Sequence, residues 1–416
     1  MTKNHQILAT KSIFLILGIL LIAANLRGPI TSVAPLLDSI RSSLNLTATQ
    51  AGLLTTLPLL AFAFMSPLSS KIGHRIGLER ALMVALVLIL VGIMVRALGS
   101  ISALILGTFV IGAGIAIANV LLPSLLKRDF PTKVATLTAV YVLTMGIGSA
   151  VSSAVAVPMS NLAGHLNISF MPDWNFALVS VILFPLVAIL CWLPQMASRT
   201  DPAKNTAELD SHSYVWRSPL AWQLTFFLGL NSFVTYIIIG WLPSMLMDAG
   251  YSEIEAGFNA GLLQLATALP AIALIPIMGK LKDQSLLAFG TALIALSGIL
   301  GLLLLPQFAT VWVLVFGFGG GAGFIVGLSC ISHRTHHTHQ AAALSGMAQC
   351  VGYLLAATGP ILIGSVHDTT GSWNLPLILC AISCGLCSVF GLLAGRDRIL
   401  ENKQSGAIVL SDAERA

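Results

Sequence analysis

The chain has 416 residues, 56% of them hydrophobic and only 9% charged, with a net charge of +5. A soluble domain carries about 25% charge and less than half apolar residues, so a water-soluble fold would expose long apolar segments and is excluded. The basic residues are few and sit mostly in short segments between apolar runs, which does not point to nucleic acid as a partner.

Runs of about twenty apolar residues cross a bilayer as helix. In chain order they predict twelve spans, over 12–34, 47–69, 79–98, 101–126, 134–158, 175–193, 219–242, 255–278, 285–305, 309–331, 339–364 and 373–395. The first run is too long for a signal-peptide core, and no small-x-small cleavage site follows a short one, so it reads as a membrane helix. The fold class expected is an all-α membrane protein. A polar stretch over 194–218 separates the sixth and seventh spans and reads as a cytoplasmic linker. It divides the chain into a first bundle over 12–193 and a second over 219–395, with a tail over 396–416.

Arg27 lies within the first span, and no Asp or Glu occurs in the interior of any span. A guanidinium keeps its charge inside a bilayer and demands a partner. A bound anion or a set of polar groups is one counterpart; snorkelling towards the interface and pairing with helix carbonyls are the others. Basic residues also set orientation. Eighteen Lys and Arg fall on the side that holds both termini and the linker, against Arg41 and Arg96 on the other. The positive-inside rule then places both termini in the cytoplasm.

Other polar residues within the spans are candidate solute contacts. Thr31 lies four residues from Arg27 and shares its helical face, whereas Asn25 lies nearly opposite. Asn119 follows a Gly-rich run that allows close helix packing. Asn231, Tyr236 and Gln264 occupy the seventh and eighth spans, and Gln349 and Tyr353 share one face of the eleventh. The bland alternative for each is a hydrogen bond between helices. The six cysteines lie in or beside apolar spans and read as small buried side chains. Cys380, Cys384 and Cys387 have helical spacing but no fourth ligand nearby. His333, His336, His337 and His339 sit beside Arg334 without an acidic ligand and read as a solvated basic loop. No metal or other cofactor is expected, and the chain is not read as an enzyme.

The two halves echo each other. LLTTLP ends at Pro58 and QLATALP at Pro270. SLLKR (Ser124–Arg128) matches CISHR (Cys330–Arg334) at an offset of 206 residues, and Trp174-Asn175 pairs with Trp373-Asn374. Paired halves suit a carrier that binds its solute between them near the membrane centre.

Several segments carry a family resemblance: NLRGPITSVAPLLDSI (Asn25–Ile40), GLLTTLPLLAFA (Gly52–Ala63), NVLLPSLLKRDFP (Asn119–Pro131), WRSPLAWQ (Trp216–Gln223), IIGWLP (Ile238–Pro243) and AAALSGMAQCVGYLLAATGP (Ala341–Pro360). Through them the whole chain resembles the major facilitator superfamily. More narrowly it is similar to the bacterial cyanate and 2-nitroimidazole transporter family, above all its 2-nitroimidazole branch. The resemblance implies a two-bundle fold in a bacterial inner membrane, working as a monomer. The activity implied is secondary transport of a small polar or anionic solute, with a coupling ion left open and a broader drug or metabolite exporter as the alternative. The superfamily's loop motif falls on SSKIGHRIGLER (Ser69–Arg80). Arg75, Gly77 and Arg80 fit it as gating residues, while Ser70 and His74 stand where Gly and Asp are usual. No GxxxxGK[ST] phosphate loop occurs, so energy is expected from a gradient. A channel and a membrane enzyme are the remaining function classes.

Overall fold

The computed structural model describes residues 2–130, 133–166, 171–197, 215–278, 281–335 and 338–400. The linker expected over 194–218 lies mostly outside those residues, as do 401–416 of the tail, His336 and His337. The side chains of His74 and His339 lie outside them too. Among the described residues twelve helical spans are long and apolar enough to cross a membrane. Large apolar side chains such as Leu183, Leu190, Leu286, Leu304 and Ile382 point outward, as lipid contact requires and water would not allow.

The first span is broken. Helix α1 (Thr2–Ala24) ends in a turn over Asn25, Leu26 and Arg27, then α2 (Gly28–Thr31) and a 3-10 turn (Ala34–Leu36) lead into α3 (Leu37–Leu44). Pro29 explains the break: it has no N–H to return to the Asn25 carbonyl, yet it suits the first turn of a new helix. The sequence predicted one uninterrupted helix over 12–34, a reading that missed this proline's effect. The first half continues with α4 (Ala48–Ile76), α5 (Leu78–Arg96), α6 (Ile101–Asp129), α7 (Val134–His165), α8 (Asp173–Ser180) and α9 (Leu183–Trp192). The second half has α10 (Pro219–Asp248), α11 (Glu253–Ala268), α12 (Pro270–Met278), α13 (Ser285–Leu304), α14 (Ala309–His333), α15 (Thr338–Thr370) and α16 (Asn374–Ala394). Pairs α8–α9 and α11–α12 each form one interrupted span, so each half is a six-span bundle.

The helices alternate between a basic face, which carries Arg75, Arg128 and Arg334, and an opposite face. Near the opposite face both halves share one apolar cluster, with Val33, Leu36 and Leu37 against Phe233, Ile237 and Trp241. Polar contacts reinforce it. Asp368 on α15 accepts from the Ala48 and Thr49 backbone N–H groups at 3.1 and 3.0 Å. Ser244 on α10 donates to Asp38 on α3 at 2.7 Å. Thr56 on α4 donates to the Ala357 carbonyl at 3.0 Å.

Arg96, expected on the opposite side at the end of its span, closes α5 there with its side chain fully buried. Its guanidinium donates to the carbonyls of Pro29 at 2.7 Å and Leu178 at 3.5 Å. This charge-assisted bond braces the Pro29 carbonyl at the break in the first span, which also accepts from the Ser32 hydroxyl at 3.4 Å.

Candidate functional site

Between the halves lies a cavity of about 390 Å³. Its wall includes Arg27 and Thr31 from the broken first span, Asn119 from α6, Tyr236 from α10, Gln264 from α11, and Gln349 and Tyr353 from α15. These are seven of the nine polar positions expected to meet solute. The other two lie elsewhere. Asn25 is buried and donates to the Leu21 carbonyl at 2.8 Å. Asn231 donates to the Gly320 carbonyl at 3.0 Å, joining α10 to α14.

Arg27 reaches the cavity because of the break. It stands at the start of α2 with φ −133° and ψ −37°, outside helical geometry, so its side chain leaves the helix surface. The break is fixed from α7, where Ser149 donates to the Thr31 hydroxyl at 2.9 Å and Ser153 to the Thr31 carbonyl at 3.1 Å. Arg27 makes no ion pair among the described residues. It donates across the two halves to the Thr267 hydroxyl at 3.3 Å, and Thr267 in turn donates to the Gln264 carbonyl at 2.8 Å. Among the described residues no Asp or Glu lines the cavity.

The remaining wall is apolar and aromatic. Phe62 and Tyr353 meet edge to face with centroids 5.8 Å apart, and Tyr236 and Tyr353 do so at 6.5 Å. Gln349 donates to Ser345 at 2.8 Å, which holds its amide on the Tyr353 face of α15. Thr267 and Phe62 escaped the sequence reading. Thr267 sits inside the repeated QLATALP segment, which was its one signal; Phe62 looks like any apolar span residue. The cavity extends from Arg27 towards the basic face, where Pro123, Phe324 and Leu328 line it.

Of the expected gating residues, Gly77 turns the chain between α4 and α5 at φ +87°. Arg75 and Arg80 are exposed, and neither makes a hydrogen bond or ion pair among the described residues. The buried contact of this loop is instead Glu79, paired with Arg128 at 2.8 Å. Hydrogen bonds from Arg128 to Asp129 first and then Glu79 outweigh its partial burial and raise its pKa above the ordinary arginine value. Arg334, at the repeat-related position, is buried and donates to the carbonyls of Gly395 at 2.6 Å and Lys282 at 3.3 Å. Each half thus uses the same arginine to tie down its own basic-face loop. All six cysteines are free, four of them buried.

Comparison with known proteins agrees with this architecture. The chain is 51% identical to the 2-nitroimidazole transporter of Escherichia coli (strain K12), over 96% of this chain and 99% of that protein. It is 27% identical to the cyanate transport protein CynX of the same organism, over 86% and 91%. A bacterial homolog of the lysosomal transporter Spinster, in an inward-facing and occupied conformation, superposes with a TM-score of 0.71. That match is 16% identical and covers 92% of this chain and 96% of the other, and so bears on fold alone. The sequence profile described as Major Facilitator Superfamily matches residues 13–357. With twelve spans in two bundles around a central cavity, the chain belongs to the Major Facilitator Superfamily and is a secondary transporter with an alternating-access fold.

Proposed function

We propose that the protein carries a small polar or anionic solute, of the 2-nitroimidazole or cyanate kind, across a bacterial inner membrane, and that the solute binds at Arg27. The observation that carries this reading is a guanidinium with no carboxylate partner on the wall of a cavity between two halves. Such a group supplies up to five donors in a fixed fork. Thr31, Asn119, Tyr236, Gln264, Gln349 and Tyr353 add polar contacts around it. A proton-driven cycle would have to use a border acid such as Asp38, a histidine or protonation of the solute, because the lining offers no carboxylic acid among the described residues. Exchange of one anion for another needs neither.

In this reading the basic face is cytoplasmic, both termini are inside, and one chain suffices. The test is counterflow in proteoliposomes with 2-nitroimidazole, cyanate and small organic anions. We expect saturable exchange of at least one of them. Replacing Arg27 with Ala is expected to collapse it while the protein still inserts and elutes as a single species. Wild-type rate and affinity in R27A would refute binding at Arg27. Flux that never saturates would indicate a channel.

A further inference from the structure

We infer that the cavity selects planar one-ring aromatic carboxylates, monoanions of the benzoate class, with the carboxylate on Arg27 and the ring against Tyr236, Tyr353 and Phe62. This rests on the proposed transport of a small anionic solute through the Arg27 cavity, and within that class it favours an aromatic carboxylate over the cyanate and 2-nitroimidazole kinds.

Charge comes first. Among the described residues the lining presents one formal positive charge and no negative one, so a bound monoanion brings the site to neutrality. The Thr267 hydroxyl takes only one of the guanidinium N–H groups, at 3.3 Å, and Thr267 is already engaged with the Gln264 carbonyl. A carboxylate offers two oxygens at the spacing of the guanidinium fork, and such charge-assisted pairs are roughly twice as strong as neutral hydrogen bonds. A nitro group or amide on a neutral ring leaves the charge uncompensated.

Size comes second. Pockets of about 300–1,000 Å³ take drug-sized organic ligands, and this one, at about 390 Å³, lies at the small end of that range. A three-atom anion on Arg27 would leave most of that volume to water and would not reach the aromatic wall. Phe62 belongs to the first half, whereas Tyr236 and Tyr353 belong to the second. Their mutual edge-to-face contacts, at 5.8 and 6.5 Å, form an angular wall that a flat ring can extend by stacking or by edge contact. The hydroxyls of Tyr236 and Tyr353 and the Asn119 amide have no protein hydrogen-bond partner among the described residues. They are available to ring substituents.

The test is isothermal titration of the purified full-length protein in detergent. The ligands are sodium benzoate, benzamide as its neutral counterpart, cyclohexanecarboxylate as its non-planar counterpart, sodium cyanate and 2-nitroimidazole. Benzoate is expected to bind at least tenfold tighter than benzamide and cyclohexanecarboxylate, and tighter than cyanate. In R27K, which keeps the charge but loses the fork, benzoate affinity should fall about tenfold, as expected for hydrogen bonds to a charged group. In Y353A the preference for benzoate over cyclohexanecarboxylate should shrink. Gel filtration of each variant controls for folding.

Binding of 2-nitroimidazole or cyanate without benzoate would overturn the inference and leave the transport reading intact. Cyclohexanecarboxylate binding as well as benzoate would overturn the aromatic wall. Benzoate affinity unchanged in R27K would overturn the Arg27 fork. Failure of all five ligands to bind would count against the transport reading itself as well as against the inference.

Discussion

Arg27 and Thr267 form one of the hydrogen bonds by which the two halves meet at the cavity. The hydroxyl does two things at once: it accepts from the guanidinium and fixes its own rotamer on the Gln264 carbonyl. T267V keeps the shape and removes both bonds. We expect it to weaken solute affinity severalfold in counterflow while the thermal midpoint stays nearly unchanged, because Arg27 loses its aim and not its packing. T267S should restore most of the affinity. Thr267 and Arg27 also show which residues a sequence reveals. A polar or charged side chain inside an apolar run must be explained, and Arg27, Asn119, Tyr236, Gln264, Gln349 and Tyr353 stood out for that reason. Phe62 did not, since an apolar side chain facing lipid, core or cavity leaves the same trace in the sequence. The partner of Arg96 was hidden for a related reason. Its place at a span end was legible, but only the fold of the first span brings the Pro29 carbonyl within 2.7 Å of it.

At the scale of elements, the spans were legible because apolar length is a direct consequence of bilayer thickness. Their interruptions were less so. Pro29 breaks the first span, yet Pro123, Pro158, Pro243 and Pro360 lie within continuous helices, and neighbouring helices decide between the two outcomes. Helix ends carry the contacts that link the halves. Asp368 caps the start of α4 from the other half, accepting from the Ala48 and Thr49 backbones and from the Thr49 hydroxyl at 3.0 Å. These bonds tie α15 to α4 across the two halves on the opposite face. D368A should therefore favour the state open on that face, raising the labelling rate of a cysteine placed at Thr56 by an impermeant reagent applied from the opposite face, the outer one in the proposed topology. Unchanged labelling would show that the apolar cluster alone sets the closure. Gly77 constrains the basic face in another way. At φ +87° and ψ 155° it occupies a region that is essentially glycine-only, and a side chain there costs about 1–3 kcal/mol. G77A should lower the thermal midpoint of the purified protein, with Gly77→Asn no better, because ψ lies outside the left-handed helical basin that asparagine tolerates.

For the whole molecule, the decisive asymmetry is between its two faces. The shared apolar cluster and the Asp368 and Asp38 contacts all lie between the cavity and the opposite face, while Pro123, Phe324 and Leu328 carry the cavity wall towards the basic face. A carrier must expose its site to one side at a time, and a solute that favours a closed state shifts the population only by its differential affinity. This predicts a sided result. In a background lacking the six native cysteines, L328C should react with an impermeant maleimide faster in inside-out vesicles than in right-side-out ones, if the basic face is cytoplasmic as proposed. Adding saturating solute should slow that reaction by drawing the halves together around Arg27. In the R27A background the same solute should leave the rate unchanged, because the group that distinguishes the occupied state is gone. Faster labelling from the right-side-out orientation would reverse the proposed topology, and equal solute protection with and without Arg27 would separate closure from the guanidinium.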